Sequence, residues 1–369
     1  MDEPGPWDSG PFILTEGFST LENEIAIINR EPLTAAWIFT DLPRSDRVVL
    51  EANTDHWNKE RGPRLERITY VNDLDPAEAL NRVCDAEGEV DIVSEISPAD
   101  AQRVIESEHA HLVTIDAMRI VSGLINRDRA YMNDVWVRKA LNLAVDKERL
   151  ISEVFQGYAH PVVAMSPPYS GAPTDIEPYP YDPDMAKRLL QEAGWPSDRA
   201  LVLATTSDVA PIADYLAESF RSSLGIEVDL VSVPDEGLAA AQKALVEKKI
   251  PQHFDVLAHA WFDLAAGYPP AVIHREYHHS GGAFRLGSPL EMFEDLMGRS
   301  VVETNAGKLG DLGRDIDRLT HREALSVFLC CPMALVAVNN HVNFTGHAAT
   351  LELAETSVDE GHWSRRNEP

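Results

Sequence analysis

The sequence predicts an α/β protein built from two lobes. Strand-like and helix-like segments alternate along most of the 369 residues, and this pattern is typical of sheets with helices packed on them. A chain of this length is sufficient for about two domains. Its hydrophobic content of 44% and charged content of 25% are ordinary for a globular protein. We therefore expect two packed units, each built around a sheet.

The first third of the chain is predicted to be rich in strands. Apolar runs or alternating patterns indicate strands at "PFILTEGF", "ENEIAIINREPLTAAWIFTDL", Asp46–Asn53, Arg64–Asp73 and "EVDIVSEI". The run His111–Asn126 predicts one long strand or two shorter ones. Between them, Asp75 is placed to cap one helix, and Ser97, followed by Pro98, begins another.

A pair of helices follows at "NDVWVRKALNLAVDKERLISEVFQGYA". The apolar residues of its first half, Val137, Ala140 and Leu141 among them, follow helical spacing. Asp146 is placed to cap the second helix, and Gly157 supplies a stop. The proline-rich segment His160–Pro183 then predicts an extended connection without regular structure.

The rest of the chain alternates between the two kinds of element. Helices are predicted at "DPDMAKRLLQEAGWP", where Gly194 ends the helix, and at "DEGLAAAQKALVEKK", Pro289–Val302 and Leu309–Leu325. Strands are predicted at "ALVLATTS", "HFDVLAHAWF" and "SVFLCCPMALVAVNN". The segment "DVAPIADYLAESFRSSLGIEVDLVSV" reads as a helix that leads into a strand.

Charge excludes two classes of partner. The chain has 32 basic and 60 acidic residues, a formal net charge of -28, and a field of that sign repels phosphate backbones and anionic membranes. We therefore expect no nucleic-acid partner. An acidic groove for cationic ligands is a further interpretation of the same charge. No stretch approaches the about 18 apolar residues of a membrane span, so no membrane insertion is predicted.

Cysteines and the N-terminus bear on the compartment. Cys84, Cys330 and Cys331 cannot form a disulfide framework, which favours a reducing environment with buried structural thiols. The first residues, "MDEPGPWDSGPFIL", contain no basic region followed by an apolar one, so the chain as written is expected to be cytoplasmic. No glycine-rich phosphate loop or dinucleotide fingerprint is present in the sequence, and we predict no cofactor.

Several motifs in a fixed order resemble one family. The block "VWVRKALNLAVDKERLISEVFQGYA", the proline-rich segment and "YPYDPDMAKRLLQEAGW" are similar to the solute-binding proteins of family 5, which serve peptide and nickel ABC importers. The segments "DSGPFILTEGF", "RVVLEANTDHW", "GEVDIVSEISP", "LGIEVDL", "FDVLAHAWFD" and "GSPLEMFEDLM" match in the same order. The resemblance covers nearly all of Gly10 to Asn343. It implies a periplasmic-binding-protein-like (type II) two-lobe fold in a family whose members are periplasmic or extracellular.

The resemblance also implies which lobes are present. Residues 1–126 correspond to the back section of lobe I, with an insertion at about residues 18–42. Residues 127–334 correspond to a full lobe III, and residues 335–369 to the lobe I tail. Lobe I is thus expected to be incomplete and lobe II to be missing. Because a sheet without some of its strands exposes an unpaired edge, we expect a second chain carrying the front section to complete a split fold as a hetero-oligomer. Self-association and a truncated fragment are the alternatives.

The resemblance further implies a ligand site between lobes. Its matching segments are "GLINRD", "MSPPYSG" and "HAWFDLAAGY". The family's acidic residue stands three positions after the tryptophan, where this chain has Leu264, and the acid lies one residue earlier. Aromatic side chains would provide flat walls for a planar ligand. The predicted ligand-binding residues are Asn126, Arg127, Tyr169, Trp261, Asp263 and Tyr268.

Two functions follow from these patterns. The first is binding of a small molecule or peptide. The alternative is a cytosolic subunit of a heteromeric hydrolase, which activates water in the same cleft to act on a small substrate, with aromatic compounds among the candidates. If the protein is an enzyme, the predicted catalytic residues are His259, Asp263 and His274, because histidines cluster in this part of the chain. His274 and His278 are four residues apart and would share a helix face. No HExxH pattern accompanies them, so no metal site is predicted.

Overall fold

The computed structural model describes residues 10–17, 45–85, 90–232, 253–262, 272–282, 285–348 and 352–366. The chain divides into two compact units. Unit 1 comprises residues 1–117 and 334–369, and unit 2 comprises residues 118–333. The second boundary differs by one residue from the predicted one. The first lies ahead of the predicted 126/127, because the strand Arg119–Ile125 pairs within the sheet of unit 2.

The strands, in chain order, are β1 (Phe12–Glu16), β2 (Arg47–Ala52), β3 (Arg67–Val71), β4 (Ile92–Val93), β5 (Ala110–Ile115), β6 (Arg119–Ile125), β7 (Ala159–Pro161), β8 (Leu201–Thr205), β9 (Val228–Ser232), β10 (Val256–Phe262), β11 (Ser326–Pro332), β12 (Ala334–Asn339), β13 (Val342–Asn343) and β14 (Ser357–Val358). The α-helices are α1 (Pro76–Asp85), α2 (Ala101–Ile105), α3 (Val135–Leu143), α4 (Lys147–Val154), α5 (Pro183–Glu192), α6 (Ala210–Leu224), α7 (Val272–His278), α8 (Glu291–Val302) and α9 (Ala306–Arg322). Short 3-10 turns occupy Pro98–Asp100 and Ser207–Val209.

Unit 1 contains small antiparallel sheets. One has the order β1-β2-β3, another the order β4-β12-β5, and β13 pairs with β14. The predicted caps are confirmed, since the Asp75 carboxylate accepts from the backbone N–H of Ala77 at 2.9 Å and the Ser97 hydroxyl accepts from that of Asp100 at 3.3 Å. The segment after Ser97 begins as a 3-10 turn and continues as α2.

Unit 2 is built on one mixed six-stranded sheet of order β7-β11-β6-β10-β8-β9. Strands β8, β9 and β10 run parallel to one another, whereas β6 runs antiparallel to β10 and β11. One face packs against helices α3 to α6 in a core that includes Leu141 and Phe220. The other face packs against Met165, Tyr277 and Leu286. The parallel strands therefore end at one common edge of the sheet.

The helix pair predicted around Asp146 is confirmed as α3 and α4. Val137, Ala140 and Leu141 are fully buried, and the Asp146 carboxylate accepts from the backbone N–H of Arg149 at 3.0 Å. Beyond α4 the backbone turns at Gly157, where φ is +87°, a conformation that glycine adopts without strain. This local part of the fold follows directly from residue spacing and capping chemistry.

Two predicted runs are each divided between the units. His111–Asn126 forms β5 in unit 1 and β6 in unit 2, and "SVFLCCPMALVAVNN" forms β11 in unit 2 and β12 in unit 1. The "EVDIVSEI" strand is reduced to the two residues of β4. The predicted insertion at residues 18–42 and the predicted helix "DEGLAAAQKALVEKK" lie outside the described residues. The three cysteines are buried thiols that form no disulfide with one another, as expected for structural thiols.

Gly123 lies in the centre of β6, where its neighbours approach closely. A Cβ at this position would lie 2.9 Å from Val256 Cγ1 and 3.1 Å from Val327 Cβ. We expect Gly123→Ala to lower the free energy of unfolding by about 1–3 kcal/mol, because overpacking displaces both neighbouring strands. The measurement is urea unfolding followed by circular dichroism.

The matched control is Gly298→Ala in α8, where a Cβ would meet no atom within 4 Å. Alanine there is expected to raise the free energy of unfolding by about 0.5–1 kcal/mol through its helix propensity. Equal effects of the two substitutions would contradict the packing of β6 between β10 and β11.

Candidate functional site

The carboxyl ends of β8, β9 and β10 form a common edge of the unit 2 sheet, which we call the carboxyl edge. Phe262 at the end of β10 pairs with Arg119 at the start of β6, so β6 begins at this edge. After β8 the chain makes the 3-10 turn Ser207–Val209 and enters α6. Ligands of sheets with parallel strands bind beyond the carboxyl ends of those strands. The carboxyl edge is therefore the candidate location of a binding site.

Two opposite charges meet at the carboxyl edge. Arg119 Nη2 lies 3.5 Å from Asp208 Oδ2, and both side chains are exposed, by 44% and 55%. The hydroxyl of Thr206 donates to the Asp208 carboxylate. Exposed ion pairs contribute little to stability, typically less than about 1 kcal/mol. Both charged groups can therefore exchange their mutual contact for contacts to a ligand at little cost.

His259 lies on β10 beside this ion pair. Its register partner on β6 is Ser122, and its ring centroid is 6.0 Å from that of Tyr277 in an edge-on arrangement. Burial lowers the pKa of His259 to about 4, and the opposing influences of Asp208 and Arg119 are smaller. The imidazole is therefore neutral at pH 7. It is suited to hydrogen bonding with a ligand, but it is a weak general base near neutral pH.

Aromatic residues predicted to line the site are found at the carboxyl edge where the structure describes them. The Tyr169 hydroxyl is 3.0 Å from Cys331 Sγ, and its side chain remains 37% exposed. The backbone of Trp261 pairs with Ile120 near the start of β6. Asp263 and Tyr268, which follow β10, lie outside the described residues.

Asn126 lies at the opposite end of β6 from Arg119. Its amide donates to the carbonyl of Phe254 at 3.3 Å and accepts from the N–H of Asp128 at 3.2 Å, and the residue is 4% exposed. A seven-residue strand is about 20 Å long. The predicted ligand-binding set is therefore divided, with Asn126 and Arg127 on one side and Tyr169 and Trp261 on the other.

His274 lies on α7 in an enclosed position. Its Nε2 is 2.6 Å from Asp317 Oδ1, and both residues are almost completely buried. The ring centroid of His274 is 6.2 Å from that of His278, so the two histidines share a helix face as predicted. Within the described ranges, no group of three or more potential ligand side chains is arranged to hold a metal ion.

Arg119 and Asp208 are candidate site residues that sequence reasoning missed. Asp208 stands three residues beyond the end of β8, a position that polar binding residues often occupy in sheets with parallel strands. This signal could have identified it. Arg119 gave no comparable signal, because its location depends on the antiparallel pairing of β6 with β10.

Comparisons with known proteins agree with the resemblance in the sequence. The profile of the bacterial extracellular solute-binding proteins, family 5 Middle, matches residues 21–283. The chain is 28% identical over 197 residues to the periplasmic oligopeptide-binding protein OppA of Salmonella typhimurium, a match that covers 50% of this chain and 36% of OppA. It is 31% identical over 167 residues to heme-binding protein A of Haemophilus influenzae, covering 44% of this chain and 29% of that protein.

A solved structure shows the same fold. The ABC-transporter substrate-binding protein CtaP of Listeria monocytogenes aligns with a TM-score of 0.76 at 17% identity, covering 95% of this chain and 66% of CtaP. This likeness confirms the predicted type II periplasmic-binding-protein-like α/β fold. The matches to the two curated relatives span less than half of the length of either protein. Among the described residues, no helix has the length and apolar character that a membrane crossing requires.

Proposed function

The chain belongs to family 5 of the bacterial extracellular solute-binding proteins, and on that premise we propose that it binds a peptide or a similar small molecule at the carboxyl edge of unit 2. The observation that carries this proposal is the exposed ion pair of Arg119 and Asp208 beside the neutral imidazole of His259. The relatives support it, since OppA is named for oligopeptides and heme-binding protein A for heme.

The chemistry of the edge favours a zwitterionic ligand. The Arg119 guanidinium presents a planar fork for a carboxylate, and the Asp208 carboxylate can accept from an ammonium group. Because the two groups lie 3.5 Å apart, a ligand with both charges can replace their mutual contact without leaving either one unpaired. A short peptide with free termini carries both charges, and the exposed ring of Tyr169 offers an apolar surface for its side chains.

Binding of trialanine, measured by isothermal titration calorimetry, tests this assignment. We expect Arg119→Gln and Asp208→Asn each to raise the dissociation constant by about tenfold or more, since each removes a charge-assisted hydrogen bond. Trialanine with an amidated C-terminus should bind the wild type more weakly than trialanine does. Its dissociation constant should not change further in Arg119→Gln, because the carboxylate that Arg119 would bind is already absent. N-acetyl-trialanine should likewise bind the wild type more weakly, and its dissociation constant should not change further in Asp208→Asn.

The matched control is the exposed pair Arg149 and Glu153 on α4, whose atoms are 2.7 Å apart. Arg149→Gln should leave peptide affinity unchanged. If the Arg119 and Asp208 variants also bind like the wild type, the carboxyl edge is not the peptide site.

The partner chain, the hetero-oligomeric state, the absence of lobe II and the cytoplasmic location stay predictions from the sequence. Sedimentation of the chain, alone and co-expressed with a candidate partner that carries a front section, tests the partner chain and the hetero-oligomeric state. If the chain is monomeric, unfolds in one cooperative transition and does not bind the candidate partner, the split fold is contradicted.

The hydrolase alternative has less support from the described residues. His259 is a weak base at neutral pH because its pKa is about 4, and His274 is enclosed with Asp317. Asp263 lies outside the described residues. The geometry therefore favours binding over hydrolysis.

A further inference from the structure

Three nitrogen-bearing side chains come together inside unit 2 at the far end of β6. Arg127 is 6% exposed and His278 is 4% exposed, and Arg285 is half-buried. Within the described part of the chain, four of their buried nitrogens have no hydrogen-bond partner: Arg127 Nε and Nη2, His278 Nε2 and Arg285 Nε. Buried polar atoms are almost always satisfied, so a group of four in one region requires an explanation.

The loop 285–288 brings these side chains together. Gly287, with φ at +89°, packs so closely on Arg127 that a Cβ would lie 2.6 Å from Arg127 Cβ. Arg285 donates to the carbonyl of Gly287. The N–H of Leu286 donates to the carbonyl of Tyr277 at 3.4 Å, which holds the loop beside the end of α7 and therefore beside His278.

Electrostatics supports the same grouping. Burial is the main cause that lowers the pKa of Arg127 to about 10; the guanidinium of Arg138 and, more weakly, that of Arg285 act in the same direction, while Asp128 and Glu323 oppose them. Burial lowers the pKa of His278 well below its usual range, and His274 and Arg127 act in the same direction. Arg127 thus lies within the field of Arg285, and His278 lies within that of Arg127.

The nearby carboxylates do not complete the hydrogen bonding of Arg127. Asp128 and Glu323 are close enough to favour its charged form. However, the Asp128 carboxylate accepts from the hydroxyl of Ser288 at 3.0 Å, and that of Glu323 pairs with Arg322 at 3.3 Å. A guanidinium presents a planar fork of donors that matches an oxyanion, and a buried cation is costly unless it is paired.

We propose that Arg127, Arg285 and His278 form an enclosed binding site for a small oxyanion, either an inorganic one such as phosphate or a carboxylate. The two arginines supply charge and donors, and the neutral imidazole supplies one further hydrogen bond. This site is separate from the carboxyl edge. The charged neighbours of His259 are Asp208 and Arg119, and neither belongs to the surroundings of His278. The proposal is therefore independent of peptide binding.

Isothermal titration calorimetry with sodium phosphate, sodium sulfate and sodium acetate tests the site, with sodium chloride holding the ionic strength constant. The net charge of -28 disfavours non-specific anion binding. We expect the wild type to bind at least one of the three probes. Arg127→Met should raise its dissociation constant by about tenfold or more. Binding of phosphate and sulfate without acetate identifies an inorganic oxyanion, and binding of acetate identifies the carboxylate class.

Thermal unfolding in chloride provides a second readout. Because Arg127→Met removes a buried charge that lacks a partner, we expect this variant to unfold at a higher temperature than the wild type in chloride alone, although it loses the response to the anion.

Arg285→Gln should weaken anion binding in the same way and serves if Arg127→Met does not fold. Arg149→Met, at an exposed site on α4, is the control and should keep wild-type affinity. A wild type that binds none of the three probes would overturn the proposal, and so would an Arg127→Met variant with wild-type affinity.

Discussion

Replacing Asp255 by asparagine is expected to lower the free energy of unfolding by about 3–5 kcal/mol, the range for removing one partner of a buried ion pair. The Asp255 side chain is completely buried. Its Oδ1 accepts from Arg199 Nη2 at 2.7 Å and from Arg129 Nε at 3.2 Å, and its Oδ2 accepts from the N–H of Val202 at 2.9 Å. Asparagine keeps the shape but leaves two guanidinium groups without a counter-charge.

Asp255 also joins three strands. Its backbone N–H donates to the carbonyl of Val202 in β8, and its own carbonyl accepts from the N–H of Asn126, directly after β6, each at 2.9 Å. The residue itself precedes β10. We therefore expect the loss to appear as one cooperative decrease in the stability of the unit 2 sheet, measured by urea unfolding at pH 7.

Asp175→Asn is the matched control for Asp255→Asn. Asp175 makes several hydrogen bonds to Arg318 at 2.8 to 3.1 Å, but the two side chains are 59% and 36% exposed. Because solvent screens exposed pairs, the loss should be much smaller than that of Asp255→Asn. If the two substitutions cost the same, burial is not what makes Asp255 important.

Local features of this fold could be predicted from the sequence. The apolar spacing of Val137, Ala140 and Leu141 predicted α3, and the side-chain oxygens of Asp146 and Ser97 predicted helix starts. These signals act over three or four residues, so the neighbouring residues in the sequence are enough to predict the helix and its start. Alternating elements predicted the α/β class, and the order of family motifs then supplied the type II periplasmic-binding-protein-like fold, which periodicity alone could not supply.

The division of the runs His111–Asn126 and "SVFLCCPMALVAVNN" between the two units could not be predicted in the same way. Periodicity shows that His111–Asn126 is extended, but strand pairing decides that Ala110–Ile115 joins β12 and that Arg119–Ile125 joins β10 and β11. Pairing depends on partners more than a hundred residues away in the chain. The same long-range dependence concealed Arg119 as a site residue and separated Asn126 from Trp261.

Buried polar residues were the second class of feature that the sequence did not reveal. Arg138, Asn142 and Lys147 lie on the buried side of the helix pair, although their residue types favour solvent. Lys147 Nζ donates to the carbonyl of Asn142 at 2.9 Å and to that of Tyr179 at 3.1 Å. Each side chain donates to backbone carbonyls, and these acceptors can be identified only from the folded structure.

Replacing Arg138 by methionine is expected to lower the free energy of unfolding by about 3–5 kcal/mol. Arg138 is 3% exposed. Its Nε and Nη2 donate to the carbonyl of Glu323 at 2.9 and 2.7 Å, and its Nη1 donates to those of Met132 and Asn133 at 3.1 and 2.7 Å. Methionine fills much of the volume but leaves three carbonyls without these donors. The turn before α3 would also lose its link to the end of α9.

Arg138→Lys separates the contribution of charge from that of geometry. Lysine keeps a cation, but its single ammonium cannot reach carbonyls on both sides as the planar guanidinium does. We therefore expect a loss between zero and that of Arg138→Met, with both variants compared by urea unfolding at pH 7. Arg149→Met on the exposed face of α4 should leave the free energy of unfolding almost unchanged, because an i,i+4 pair in solvent contributes little. If lysine restored full stability, charge alone would account for the role of Arg138, and the two-sided bridge from α9 to the turn before α3 would not be needed.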